Sequence, residues 1–276
     1  MFKKMLAGGM AFLCAYALFT APAHALGLKE AMEKGGLLTA ELVKVAAFDT
    51  VTVDGAHCRI VQGGGTDGTY AYVALVTGND GAATKSVVLK FDPRTWEVVQ
   101  TSGLLLLQHA NDITYNGTIN SLVVACCDPN DRKIVYVDPV TLKETGSAML
   151  RTATYCLAYD QEENCYWTAK DLYYAKVPAD NLKKVSGAWK HDTTGHITQG
   201  MTVDEKYLYF VLYRENCLMV YDKETGAQTV IGLSVPASQG EPENLFWLDG
   251  ELYIVFNNST WTGGEIYRVA DVSVKD

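Results

Sequence analysis

Two short segments concentrate side chains capable of chemistry. Gln108-His109-Ala110-Asn111-Asp112 places an imidazole, amides and a carboxylate within five residues, and Glu241-Pro242-Glu243-Asn244 supplies two carboxylates and an amide. His109 or Glu243 could act as a general acid or base. The oxygens of Asn111, Asp112 and Glu243 are hard donors that suit Ca2+ better than Zn2+, which makes a calcium site the metal reading of these residues. On an extended strand His109 and Asn111 share a face, and Asp112 takes the other unless a bulge intervenes. Each residue also has a plainer reading. A histidine or amide opening an apolar strand can simply satisfy neighbouring backbone groups.

The elements that must position these residues recur along the chain. Gln62, Asn111, Tyr155, Gln199 and Asn244, spaced by 49, 44, 44 and 45 residues, each open an apolar strand that is followed by a tight turn and a second strand ending in aromatics. Three copies then share a second turn: Asp92-Pro-Arg-Thr, Asp138-Pro-Val-Thr and Asp222-Lys-Glu-Thr. An Asp at the first turn position can accept hydrogen bonds from amides two residues on, and Pro next to it presets φ. Each unit is therefore four strands. A period in the forties made only of strands predicts an all-β fold, a five-bladed β-propeller of four-stranded antiparallel blades. The last blade lacks a strand, and residues 42–53 can supply it, so the ring closes with an N-terminal strand that removes open sheet edges. Leu28 to Lys34 predicts a helical turn or two outside the ring.

The blade rhythm resembles five-bladed and lactonase-like (YVTN-type) propellers. Ile197-Thr-Gln-Gly-Met-Thr-Val-Asp-Glu-Lys-Tyr-Leu-Tyr and Glu243-Asn-Leu-Phe-Trp-Leu-Asp-Gly-Glu-Leu-Tyr also resemble strand openings of the plant-type glutaminyl cyclases, five-bladed propellers that cyclise an amino-terminal glutamine. This second resemblance covers two blades and, in part, Gln62-Gly63. The resemblance implies that the first strand of each blade lines a central channel, with the five openers ringing its mouth beside Arg59, His109, Arg151, His196, Glu241 and Glu243. The ligand-binding set implied is Gln62, His109, Asn111, Asp112, Gln199, Glu241, Glu243, Asn244 and the loop residue Trp261, which either stacks on a ligand or packs. Tyr159, Tyr166, Trp167, Tyr207, Tyr209, Phe246 and Trp247 are expected in the packing between blades.

The ends and the charge bound the remainder. Residues 1–25 combine Lys3 and Lys4, an apolar run from Met5 to Phe19 and Ala-Pro-Ala-His-Ala, the pattern of a cleaved signal peptide, so a secreted or periplasmic location is expected, without a stable membrane anchor. Cys14 lacks the small preceding residue of a lipid-attachment site. One domain, 26–276, then carries 21 basic against 32 acidic residues, a net charge of −11. An acidic chain without a Lys/Arg run has no electrostatic footprint for nucleic acid. Six cysteines remain, Cys58, Cys126, Cys127, Cys156, Cys165 and Cys217, and an even number in an exported chain predicts disulfides without choosing their pairing.

Two functional classes stay open. The chain contains no Gly-x-Ser-x-Gly, no His-Glu-x-x-His and no phosphate-cradling glycine loop. The first reading is a monomeric binding propeller that presents its loop-rich face to a small molecule, glycan, peptide or surface partner. The alternative is an enzyme, cyclase-like or a metal-assisted hydrolase or lactonase. In it Glu243 or His109 handles the proton while Asn111, Gln199 and Asn244 orient substrate.

Overall fold

The computed structural model describes residues 26–78, 84–193, 195–235 and 239–275. The expected signal peptide and the Asn79-Asp80-Gly81 turn lie outside that set. Helix α1 (Leu28–Lys34) precedes the long strand β1 (Leu37–Asp49) and a small hairpin, β2 (Val51–Val53) with β3 (Ala56–Cys58). Five sheets follow. Blade 1 is β4 (Ile60–Thr66), β5 (Ala71–Val76), β6 (Ser86–Asp92) and β7 (Glu97–Thr101). Blade 2 is β8 (Asp112–Asn116), β9 (Ser121–Ala125), β10 (Lys133–Val137) and β11 (Glu144–Met149), and blade 3 is β12 (Cys156–Asp160), β13 (Cys165–Lys170), β14 (Tyr173–Pro178) and β15 (Gly187–Lys190). Blade 4 is β16 (Ile197–Val203), β17 (Tyr207–Tyr213), β18 (Cys217–Asp222) and β19 (Gln228–Ser234). Blade 5 is β20 (Gln239–Leu248), β21 (Glu251–Asn258), β22 (Gly263–Lys275) and, as its outer strand, β1.

Strand β1 closes the ring. It runs antiparallel to β22 from Leu37 opposite Lys275 to Asp49 opposite Gly263, and its first half also pairs in parallel with β19, Leu38 opposite Ile231. Blades 4 and 5 are thereby fused into one eight-stranded sheet, and the outer edge of blade 4 is covered.

The apolar residues of each blade divide between its two faces. Val123, Ala125 and Ile134 pack against Leu157, Tyr159 and Tyr166 of blade 3, whereas Leu122, Val124 and Val135 join Tyr72, Ala74 and Val88 of blade 1. Alternating side chains point to opposite faces and both faces are covered, which is why β5 is buried at every position from Ala71 to Val76. The expected aromatics behave as packing. Tyr166 and Tyr209 are fully buried, and Tyr209 and Trp247 meet edge to face at 5.3 Å between blades 4 and 5. The turn aspartates do what their position predicts: Asp138 accepts from the amides of Val140 and Thr141, and Asp222 from those of Glu224 and Thr225.

At the hub, glycine sets the spacing. A Cβ on Gly65 would stand 2.4 Å from the Ile113 carbonyl oxygen, and one on Gly63 would stand 2.6 Å from that of Ala110, so β4 can approach β8 backbone to backbone only without side chains there. Gly200 meets Asn244 in the same way between blades 4 and 5.

The cysteine expectation is corrected. All six cysteines are free and buried. Cys58 and Cys126 lie in two different core clusters, and Cys156, Cys165 and Cys217 share a third between blades 3 and 4 without pairing. They fill space as small apolar side chains, and burial pushes the Cys126, Cys127 and Cys165 thiols up to about 12.

Candidate functional site at the channel mouth

The five openers come together at one end of the inner strands, each by a different local route. Gln62, Gln199 and Asn244 lie within β4, β16 and β20, and Asn111 and Tyr155 sit one residue before β8 and β12. In blade 2 the approach is irregular. Gln108 and Ala110 adopt positive φ, 55° and 50°, which breaks the alternation expected for His109, Asn111 and Asp112.

Asn111 and Asp112 consequently both turn to the hub. Asp112 is fully buried. Its Oδ2 accepts from the Leu157 amide at 2.8 Å and the Met201 amide at 3.1 Å, and its Oδ1 accepts from Asn244 Nδ2 at 2.7 Å. One carboxyl on blade 2 thus ties blades 3, 4 and 5 together. Asn111 Nδ2 adds bonds to the carbonyls of Tyr155 at 3.1 Å and Gln199 at 2.9 Å, and Asn244 Oδ1 accepts from the Leu245 amide. Burial pushes the Asp112 carboxyl well above its ordinary value, and the three N–H donors pull in the opposite direction.

This donor set does not suit the Ca2+ expected of Asn111, Asp112 and Glu243. Three N–H groups present their positive ends to the Asp112 oxygens, where a cation would have to sit. Glu243 is engaged elsewhere, with Asn257. No group of three or more His, Cys, Asp or Glu among the described residues is placed to hold a metal ion.

The second cluster is built differently. Glu243 is buried on β20 and accepts from Asn257 Nδ2, while Asn257 also bonds the amide and carbonyl of Val61 at 2.8 and 3.1 Å, tying blade 5 to blade 1. Glu241, two residues earlier, accepts from Gln199 Nε2 of blade 4. Burial pushes the Glu243 carboxyl well above its ordinary value, and the nearby charge of Glu241 pushes the same way, with only Asn257 opposing. Burial raises Glu241 too. Gln62, adjacent to Val61, is 5% exposed, and its buried Oε1 has no hydrogen-bond partner among the described residues. Gln108 Oε1 is in the same condition. The mouth is therefore rich in buried acceptors and short of donors, an arrangement that calls for an N–H-bearing group.

The remaining predicted residues are dispersed. His109 is half-buried, its backbone amide bonded to the Cys126 carbonyl. Trp261 stands 37% exposed on the turn between β21 and β22, with φ of 55°. Asn257 and Gln108 lie outside the ligand-binding set that the sequence suggested, although Gln108 opens the segment singled out there. Asn257 was legible only as one of two consecutive asparagines ending an apolar strand. The sequence reading does not include His191, which is fully buried, bonded to Thr198 Oγ1 at 2.8 Å and Tyr221 OH at 3.2 Å, and packed against the Phe210 ring at 4.4 Å, tilted by 38°. Burial pushes its pKa down to about 4, so it is a neutral scaffold imidazole.

No protein-family model matches the chain, and no curated protein matches it. Among solved structures, a glutaminyl cyclase from Myxococcus xanthus superposes with a TM-score of 0.62 at 10% identity, covering 87% of this chain and 100% of that one. The tail fibre of Staphylococcus aureus phage P68 matches with a TM-score of 0.54 at 12% identity, over 84% of this chain and 53% of that one. A luciferin-regenerating enzyme matches at 11% identity, over 87% and 98%, with a TM-score of 0.49. At such identities the shared property is the fold, an all-β propeller.

Proposed function

We propose that the protein is an exported binding propeller whose channel mouth takes the amine end of a small molecule or peptide. The observation that carries this reading is the pairing of two carboxyls on β20, the half-buried Glu241 and the buried Glu243, with the unpartnered Oε1 of Gln62 next to Val61, the residue that Asn257 ties to Glu243. A primary ammonium supplies three N–H donors and a positive charge, which matches both the donor deficit and the mutual repulsion of the two carboxylates. Export rests on the signal-like residues 1–25.

Calorimetric titration with short peptides tests it. Free amino-terminal peptides should bind, their N-acetylated forms should bind at least about tenfold more weakly, and Glu243→Gln should erase the difference. Equal affinity for acetylated and free peptides would remove the proposal.

A second reading is a glutaminyl cyclase-like enzyme. It is favoured by the superposition on the whole Myxococcus xanthus enzyme and by a buried carboxyl with raised pKa at the mouth. In that reaction the α-amine attacks the side-chain amide carbonyl of an amino-terminal glutamine. A C–N bond forms, the bond to the amide nitrogen breaks, and ammonia leaves with the proton that the amine gives up. Glu243 would relay that proton. Ammonia release from a glutaminyl peptide, lost in Glu243→Gln, would establish the enzyme; binding without release would leave the binder.

A further inference from the structure

A second cleft opens on the flank of blades 2 and 3. It encloses about 430 Å3 and is lined by Arg132, Arg151, Thr152, Lys170, Leu172 and Tyr173 among others. Arg132 lies in the β9–β10 loop and Arg151 just after β11. The Arg132 carbonyl accepts from the Leu150 amide at 2.8 Å, so the two arginines leave neighbouring strand ends. Both side chains are exposed. Among the described residues neither guanidinium makes an ion pair or a hydrogen bond, in a chain with 32 acidic against 23 basic residues. Lys170 is held at 2.7 Å by Asp131 and lies over the Tyr155 ring at 4.5 Å, and Asp171 also lines the cleft.

We infer that this cleft binds a small organic carboxylate, with Arg132 and Arg151 gripping its anionic end and Leu172 and Tyr173 covering its hydrocarbon body. Two arginines line one cavity and neither is ion-paired among the described residues, and a planar carboxylate matches the guanidinium fork. The neighbouring walls are apolar: Leu172 and Tyr173 stand 52% and 63% exposed there, alongside Ala153, Ala175 and Ala188. Inorganic phosphate would satisfy the arginines and leave those walls uncovered. The Asp131 and Asp171 charges also disfavour a polyanion, so a monoanion with an apolar body fits better. Thr152, hydrogen-bonded to Thr168 at 3.1 Å, stands at the cleft with a hydroxyl for the second carboxylate oxygen.

The test uses phenylacetate, its uncharged amide phenylacetamide, and inorganic phosphate, titrated calorimetrically into the full protein. Phenylacetate should bind, and both phenylacetamide and phosphate should bind at least about tenfold more weakly, as expected when a charge-assisted bond or an apolar contact is removed. Arg132→Ala and Arg151→Ala should each weaken phenylacetate about tenfold. Both residues are exposed, so circular dichroism of these variants should match the parent protein. Absence of phenylacetate binding, equal affinity for acid and amide, phosphate binding as tightly as phenylacetate, or arginine variants with unchanged affinity would each overturn the assignment. The site is separable from the channel mouth: Glu243→Gln should leave phenylacetate affinity unchanged. A variant that lost peptide binding while the arginine variants kept phenylacetate would sink this inference alone.

Discussion

Asp112 and Glu243 are both carboxyls removed from water near the start of an inner strand, yet their surroundings assign them opposite tasks. Asp112 receives three N–H donors from three other blades. Glu243 receives one, from Asn257, and faces a second carboxyl. A buried polar group whose partners are all protein groups fixes the fold, whereas one short of donors is left open to a ligand. The channel is thus not a uniform lining of polar openers. Asp112 is a satisfied hub, whereas Glu243 of blade 5 and Gln62 of blade 1 are short of donors.

The largest effect should come from breaking the hub. Asp112→Ala leaves the Leu157 and Met201 amides and the Asn244 side chain buried without acceptors, and should lower stability by about 4 kcal/mol or more, at 1–3 kcal/mol for each stranded donor. Urea unfolding measures it, and an unchanged midpoint would return Asp112 to the candidate ligand set.

His191 extends the satisfied class to the interface of blades 3 and 4. Its pKa is depressed in the fold, so its contribution is present above the unfolded value near 6.5 and is lost as pH falls towards about 4. Relative to a His191→Gln variant, the parent protein should therefore lose about 3 kcal/mol between those limits. A difference that stays flat with pH would show that the imidazole charges freely.

Glu243→Gln probes the other side of the comparison. Stability at neutral pH should change by less than about 1 kcal/mol, because Gln keeps the shape and removes an unfavourable buried charge. The raised carboxyl pKa contributes stability below the unfolded value near 4.5 that is lost as pH rises through the folded value, and the variant should reduce that slope in thermal melts. A steep loss of stability at neutral pH in Glu243→Gln would make Glu243 a second hub. At the small end, Arg94→Ala breaks an exposed pair with Asp92 and should leave the melting temperature unchanged within error.

Much of the architecture was legible in the chain. The 44–49-residue period of openers, the turn aspartates and the missing fifth-blade strand correspond to real elements, because strand alternation and turn chemistry are local properties that sequence spacing encodes directly. The parity of the cysteines misled, because an even count says nothing about whether thiols meet, and here each is buried in blade packing. The calcium reading of Asn111, Asp112 and Glu243 rests on residue types alone. Residue types identify possible donors to a metal, but the backbone amides of Leu157 and Met201, distant in sequence, determine that Asp112 is already spoken for.

The sequence by itself therefore determined the ring, the blade count and the set of polar residues at one end of it, since each follows from periodicity within a few residues. Only the tertiary structure decided which of those residues are used up. The positive φ values at Gln108 and Ala110 turn Asn111 and Asp112 inward, Asn257 claims one oxygen of Glu243, and Gln62 Oε1 is left without a donor. Hydrogen-bond satisfaction is a property of groups that meet across blades, 45 or more residues apart for the bonds from Leu157, Met201 and Asn244 to Asp112, and no local pattern carries it.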